Sequence, residues 1–223
     1  MSSSLNQLTY DYMKKDIMTF SLKPGEAVSA AKIAERYNVS RTPAREALVK
    51  LEIEGLVDIY PKSKSVISKI DVERARQEWF LRRTLELGMV DDLFKRVNES
   101  DILKMRVCSR KMIELSKQEK THDVVYEYLC CDNEFHALTY YVAGQSLSAA
   151  TIANTMAHYS RIRILTDLDD YLQERTVNTH EQLIELLENH DREAYRSLLE
   201  KHLDYITQDT EDLRKMNPEL FKD

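Results

Sequence analysis

The 223-residue sequence predicts a mainly α protein in two parts. Residues 1–70 read as an N-terminal winged helix-turn-helix with a small β-hairpin, and residues 71–223 as an all-α antiparallel helical bundle of six or seven helices. The hydrophobic period changes from 3.6 to 2 after Gly55 and returns to 3.6 beyond Asp71. Residues 71–223 hold one proline, Pro218, and two glycines, Gly88 and Gly144, too little punctuation to turn many strands. Charge divides at the same place: 11 Lys+Arg face 8 Asp+Glu in residues 1–70 (net +3), against 21 and 30 in residues 71–223 (net −9).

In the first part, Leu5, Leu8, Tyr12 and Ile17 recur at helical spacing and predict a helix over 4–19 with an inward apolar stripe, stopped by Lys23-Pro24-Gly25. Ser29 can cap a short second helix with Ile33, Ala34 and Tyr37 inward. After the tight Asn38-Val39 connection, Pro43 suits the first turn of a third helix whose core face is Ala47, Leu48, Leu51 and Leu56. Gly55 falls where that helix must stop, in the left-handed conformation glycine adopts cheaply. Ser40, Arg41, Thr42 and Arg45 gather at its N-terminal end, where free backbone N–H groups and the helix dipole already favour phosphate. Leu56, Val57, Ile59 and Tyr60 read as a strand, residues 61–65 as a turn, and Val66, Ile67 and Ile70 as a returning strand. Lys62 and Lys64 at the tip are placed to lie beside a DNA backbone. A basic head on an acidic body suits a protein that touches DNA with one end.

Asp71 can cap the first body helix. Helical stripes follow at Trp79, Leu85, Met89, Leu93 and Val97; at Leu103, Val107 and Leu115; at Leu147, Ile152, Met156, Ile162 and Leu165; and at Leu183, Ile184, Leu187, Leu198, Leu199 and Ile206. Residues 1–4 and the tail after Met216 are expected to fray. No apolar run approaches the ~20 residues a membrane helix needs, and there is no N-terminal signal segment, so a cytoplasmic protein is expected. Three cysteines, two of them adjacent at Cys130 and Cys131, argue against a disulfide framework and read as buried packing thiols.

Polar residues interrupt these stripes. Val125, Leu129, Asp132, His136, Thr139 and Ala143 alternate by four and three and share one helix face, so Asp132 and His136 hold core positions. His180 sits likewise between Val177 and Ile184, and His202 between Leu198 and Ile206. An unpaired buried carboxylate is expensive, and a divalent cation gripped by Asp132, His136, His180 and His202 would satisfy all four. Zinc is the first expectation, with nickel, manganese or iron as alternatives. Hydrogen-bonded core histidines are the competing reading. His122, His158 and His190 read as ordinary surface or capping residues.

Val39-Ser40-Arg41-Thr42-Pro43-Ala44-Arg45-Glu46-Ala47-Leu48 with Glu54-Gly55-Leu56-Val57, preceded by Lys23-Pro24-Gly25, resembles the winged helix of GntR-family bacterial transcription regulators. Arg82-Arg83-Thr84-Leu85-Glu86, Asp132-Asn133-Glu134-Phe135-His136, His180-Glu181 and His202-Leu203 resemble motifs of the FadR-type ligand-binding domain. The resemblance implies a homodimeric transcription regulator, a repressor in the first instance, bound to double-stranded operator DNA. It also implies a divalent metal in each bundle and a small organic acid effector at or beside it. By motif, Arg41 and Arg45 would contact bases or phosphates, Ser40 and Thr42 phosphates, and Lys62 and Lys64 the wing side. Arg82 would pair with the effector carboxylate, with Arg163 as a further candidate. The wing tip, Ser63-Lys64-Ser65, lacks the glycine usual in that family, and Ala143-Gly144-Gln145 stands where its small residue, Gly and Asn follow the aspartate–histidine motif.

Two rival readings remain open at this point. Three His and one Asp around a metal can activate water, as in an enzyme, although no H-E-x-x-H or Ser/Cys nucleophile motif accompanies them. Alternatively, the metal is purely structural or is itself the signal.

Overall fold

The computed structural model describes residues 5–60, 64–167, 170–204 and 210–222, with side chains described for all but 170–177 of these. Residues 1–4, Lys62, Ile206 and the side chain of Val177 therefore lie outside the description. The head contains α1 (Leu5–Met18), β1 (Ala27–Val28), α2 (Ala30–Arg36), α3 (Arg41–Ile53), β2 (Val57–Ile59) and β3 (Ser65–Ile67). Ser29 caps α2 by accepting from the Lys32 N–H. On α3, Ala47, Leu48 and Leu51 are buried, and Gly55 takes φ +81° just past its end.

The wing gains a strand the sequence did not announce. Gly25, at φ +82°, donates its N–H to the Ile67 carbonyl at 2.7 Å and brings β1 alongside β3. The result is an antiparallel sheet in the order β1-β3-β2, with Ala27 opposite Val66 and Val57 opposite Ile67. A third strand gives the hairpin the partner it needs to be stable. The face of α1 also differs from expectation. Thr9, Tyr10, Met13 and Ile17 are buried, whereas Leu5, Leu8 and Tyr12 are exposed. The helix offered two partly apolar faces, and packing against α3 selected the one bearing Met13 and Ile17.

The body comprises α4 (Val72–Gly88), α5 (Val90–Arg96), α6 (Glu99–Ser116), α7 (His122–Val142), α8 (Ser146–Thr155), α9 (Ala157–Asp167), α10 (Asp170–Glu188), α11 (Arg192–Asp204) and α12 (Thr210–Met216). Seven of these have ten residues or more; α5 and α12 are short. Asp71 caps α4 through the Arg74 N–H. Three residues assigned to inward stripes are instead exposed: Leu103, Val107 and Leu147. On α6 the inward positions are Met105, Cys108, Ser109, Met112 and Leu115, one step round the helix, because that face meets α7 and α10.

Head and body share one hydrophobic core, in which Met18, Leu56 and Ile67 of the head join Val125, Leu129, Tyr159 and Ile162 of α7 and α9. A polar network joins them too. Arg161, fully buried on α9, donates to the Ser68 carbonyl at 2.6 Å and to the Ser68 hydroxyl at 3.1 Å, and Ser68 Oγ donates to the Gly55 carbonyl at 2.7 Å. His158, read as a surface residue, is buried here; its Nδ1 accepts from the Asp71 N–H at 3.0 Å. Its neighbours in sequence are mixed, so only the docked head reveals that face as interior.

The tail is not frayed. Ile70 forms a parallel bridge with Phe221, the Ile70 N–H donates to Leu220, and the Lys222 N–H donates back to the Ile70 carbonyl. Phe221 is 1% exposed and belongs to the shared core. Phe221→Ala should therefore destabilise the protein by about 3–5 kcal/mol, as for other buried Phe truncations, measured by urea unfolding; an unchanged midpoint would place the tail outside the cooperative unit.

Candidate metal centre and nucleic-acid interface

Three helices supply the four candidate ligands of the buried centre. On α7, every member of the Val125–Ala143 stripe is buried, so the backbone itself carries Asp132 and His136 inward, one turn apart. His180 comes from α10 and His202 from α11. One donor atom from each of Asp132, His136, His180 and His202 lies within 4.8 Å of all the others. His136 Nε2 is 3.2 Å from His202 Nε2 and 3.3 Å from His180 Nε2, and His180 Nε2 is 3.4 Å from Asp132 Oδ1. Tetrahedral donors at the ~2.0–2.1 Å of a zinc–nitrogen bond stand about 3.3 Å apart, so this spacing fits one ion.

Hydrogen bonding supports the same test. Asp132 Oδ1 and His180 Nδ1 are buried without a hydrogen-bond partner, and buried polar atoms in that state need an account. The other aspartate oxygen is spoken for: Arg163 donates to Oδ2 at 2.5 Å, and Arg82 lies 3.7 Å from it. Burial alone would raise the Asp132 pKa, but Arg163, His136, His180 and Arg82 outweigh it and hold the carboxyl well below its usual range. Oδ1 is thus an ionised oxygen aimed at three imidazoles. The residues fit a divalent cation.

Glu86, which sequence reasoning missed, orients the centre. Its Oε2 lies 2.7 Å from His136 Nδ1, and its Oε1 accepts from Arg82 Nε at 2.7 Å. Burial pushes the Glu86 carboxyl up, yet the His136 ring and the Arg82 guanidinium draw it down to about 2. An ionised carboxylate only accepts, so it fixes the His136 proton on Nδ1 and leaves Nε2 for the ion, a carboxylate–histidine support common around metals. The missed signal is on α4, where Ala75, Glu78, Arg82 and Glu86 form the buried face and the expected anchors Trp79 and Leu85 are only half-buried. Opposite charges at i, i+4 on a helix with a weak apolar stripe are that signal.

Arg82 and Arg163 thus both reach the centre, and Arg163 also donates to Asn133 Oδ1 at 2.9 Å. A cavity of about 360 Å³ opens beside His136, Arg82 and Asn133. Of the carboxylates adjoining the candidate ligands in sequence, Glu181 pairs with Arg106 at 3.3 Å and accepts from Ser109, and Glu134 is exposed. Of the adjacent thiols, Cys131 is buried as expected but Cys130 is exposed; Cys108 is buried as well.

On the head, Ser40, Arg41, Thr42 and Arg45 lie together and exposed at the start of α3. Ser40 occupies the N-cap position without using its hydroxyl as a cap, which leaves that hydroxyl available. Lys64 is exposed, and its carbonyl accepts from the Tyr60 N–H at 2.8 Å to close the wing; Lys62 lies outside the described residues. Among the described residues no helix is long and apolar enough to cross a membrane.

A winged helix-turn-helix with a basic, exposed third helix, fused to a helical domain with a polar heart, defines the class of DNA-binding transcriptional regulators. Comparison with known proteins agrees. Residues 5–67 match the family described as bacterial regulatory proteins, gntR family, and residues 79–205 match the FCD domain. The chain is 29% identical over 212 residues, 95% of its length and 87% of the relative's, to an uncharacterized HTH-type transcriptional regulator in an unstable DNA locus of Streptomyces ambofaciens. It is 26% identical over 219 residues, 98% of its length and 94% of the relative's, to the HTH-type transcriptional repressor RspR of Escherichia coli. Its fold is similar to that of E. coli McbR/YncC, with TM-score 0.77 and 17% identity, covering 96% of this chain and 99% of that one. The chain belongs to the GntR family and carries an FCD domain: it is a transcriptional regulator, not an enzyme.

Burial, reinforced by neighbouring cations, depresses His180 and His158 to about 3. Each is neutral when folded but takes up a proton near pH 6.5 when unfolded, so the stability they contribute is complete above pH 6.5 and declines as pH falls toward 3. Metal-free protein should accordingly melt at a lower temperature at pH 5 than at pH 7.5; equal or higher melting at pH 5 would contradict the neutral, buried state of these rings.

Proposed function

We propose that the chain acts in the cytoplasm as a homodimeric repressor whose operator affinity is set by a small organic acid. The acid binds at a divalent metal, zinc in the first instance, held by Asp132, His136, His180 and His202. The observation that carries this reading is the convergence of those four donors, one of them an ionised aspartate oxygen without a hydrogen bond. The ion, when bound, supplies Lewis acidity that attracts a carboxylate. Arg82 stands beside it as a cationic partner for the acid, while Arg163 holds Asp132 in place. A repressor relative, RspR, supports the sign of regulation.

On the DNA side, Arg41 and Arg45 would contact bases or phosphates, Ser40 and Thr42 phosphates, and Lys62 and Lys64 the backbone beside the wing. Two heads on one dimer would read half-sites about one helical turn apart, with phosphate contacts setting the salt dependence. Helix α9 offers a route between the sites: Arg163 grips Asp132, and two residues earlier Arg161 grips Ser68, which bonds the Gly55 carbonyl just past α3. A coupling of ~1–3 kcal/mol along such a route changes operator occupancy about 5- to 150-fold. The proposed division at residue 70 falls between β3 and α4.

Titrating DNA binding with chelator, then metal, then candidate acids tests this reading. Acid-dependent release that needs the metal supports it, whereas release by metal alone would make the ion the signal. Arg45→Ala should weaken specific binding by ~1–3 kcal/mol, the discrimination of an arginine–guanine pair; unchanged operator affinity in a gel-shift titration would reject that role. His136→Ala should abolish bound metal by elemental analysis and the response to acid, with DNA binding retained; full metal occupancy would count against the ligand set.

A further inference from the structure

We propose that the effector is a carboxylic acid with an extended apolar body, lying in a cavity shared by body and head so that its far end touches the DNA-reading domain. This rests on the acid binding at the metal centre proposed above. The 360 Å³ cavity has a size suited to a small organic ligand. It reaches His136 and Arg82 of the centre, with Asn133 beside them. Its middle is mainly apolar, walled by Leu129 and Ala137 of α7, Ile152 and Ala153 of α8, and Met156, with Tyr140 and Ser160 as the polar groups beside them. Its outer end belongs to the head: Tyr10, Lys14 and Met18 of α1, with Glu54 and Leu56 at the close of α3.

The chemistry of the three zones selects the ligand. A short polyhydroxy or polycarboxylic acid would set several polar groups against this mainly apolar wall, where the Tyr140 hydroxyl, buried without a hydrogen-bond partner, can answer only one or two of them. An apolar chain or ring loses nothing there and gains by burial. At the outer end the polar atoms satisfy one another: Tyr10 Oη donates to Glu54 Oε1 at 2.5 Å, and Lys14 Nζ donates to Glu54 Oε2 at 2.7 Å and to Tyr10 Oη at 2.9 Å. That triad lines the cavity and ties α1 to the C-cap residue of α3, Glu54. A ligand reaching it would press directly on the joint between α1 and α3, beside the α9 route. Ligand length would then decide whether the head is felt at all.

The test uses the full-length zinc-loaded protein and the acids acetate, butanoate, hexanoate and octanoate, which share one carboxylate and differ only in apolar length. Calorimetric affinity should rise about fourfold per added methylene until the cavity is filled, the ~0.8 kcal/mol of a buried CH2. Hydrogen exchange should slow in α1 with octanoate but not with acetate. Ala153→Trp, at an exposed position on the cavity wall, should cut octanoate affinity at least tenfold while leaving acetate and zinc binding unchanged. Acetate binding with no length dependence, or α1 exchange unaffected by octanoate, would overturn the bridging site while leaving an acid at the metal intact. Failure of every acid to bind zinc-loaded protein would overturn the acid effector itself.

Discussion

An ionised aspartate at the centre of a helical bundle is the constraint from which much of this molecule follows. Asp132 is completely buried, and a lone carboxylate there would be far too costly. One oxygen is answered by guanidinium groups from α9 and α4, the other faces three imidazoles from α7, α10 and α11. Each partner then needs its own support: Arg82 leans on Glu86, Glu86 fixes His136, and Phe135 packs against the His180 ring with centroids 4.6 Å apart. The five helices that build the bundle's interior are thus tied through one polar point, and whatever binds there acts on all of them.

The second organising feature is that head and body are not independent beads. Arg161 is a fully buried guanidinium whose donors go to the end of the wing and to its own helix, and Glu78 accepts from the His158 and Tyr159 N–H groups at the start of α9. The returning tail covers the junction with Phe221. A head held by buried bonds of this kind is packed as one unit with α9 rather than hung on a loose linker. Surface ion pairs such as Lys15–Asp123 add little beside these buried bonds.

Most of the head and the inward facing of the Asp/His cluster were legible because their signals are local. Ser29 and Asp71 cap helices through their own side chains, Gly55 must adopt positive φ wherever α3 ends, and four-three spacing puts Asp132 and His136 on one face whatever surrounds them. The misreadings share one cause. Leu5, Leu8, Leu103, Val107 and Leu147 obey helical spacing but lie on faces that no neighbour covers, and an apolar residue exposed singly costs little. Glu86, Arg161 and His158 are charged or polar residues whose burial makes sense only with partners far along the chain.

By itself, then, the sequence determined which segments are helical, where they stop, and that three histidines and an aspartate face inward, because propensity, capping and periodicity act over a few residues. Only the tertiary structure decided that those four groups meet at one point, that β1 joins the wing, that the tail seals the junction, and that a cavity is lined both by His136 and by residues of the head. These depend on contacts between residues far apart in the chain, from 37 positions for Val28 and Ser65 to 151 for Ile70 and Phe221, and no local pattern encodes which surface meets which.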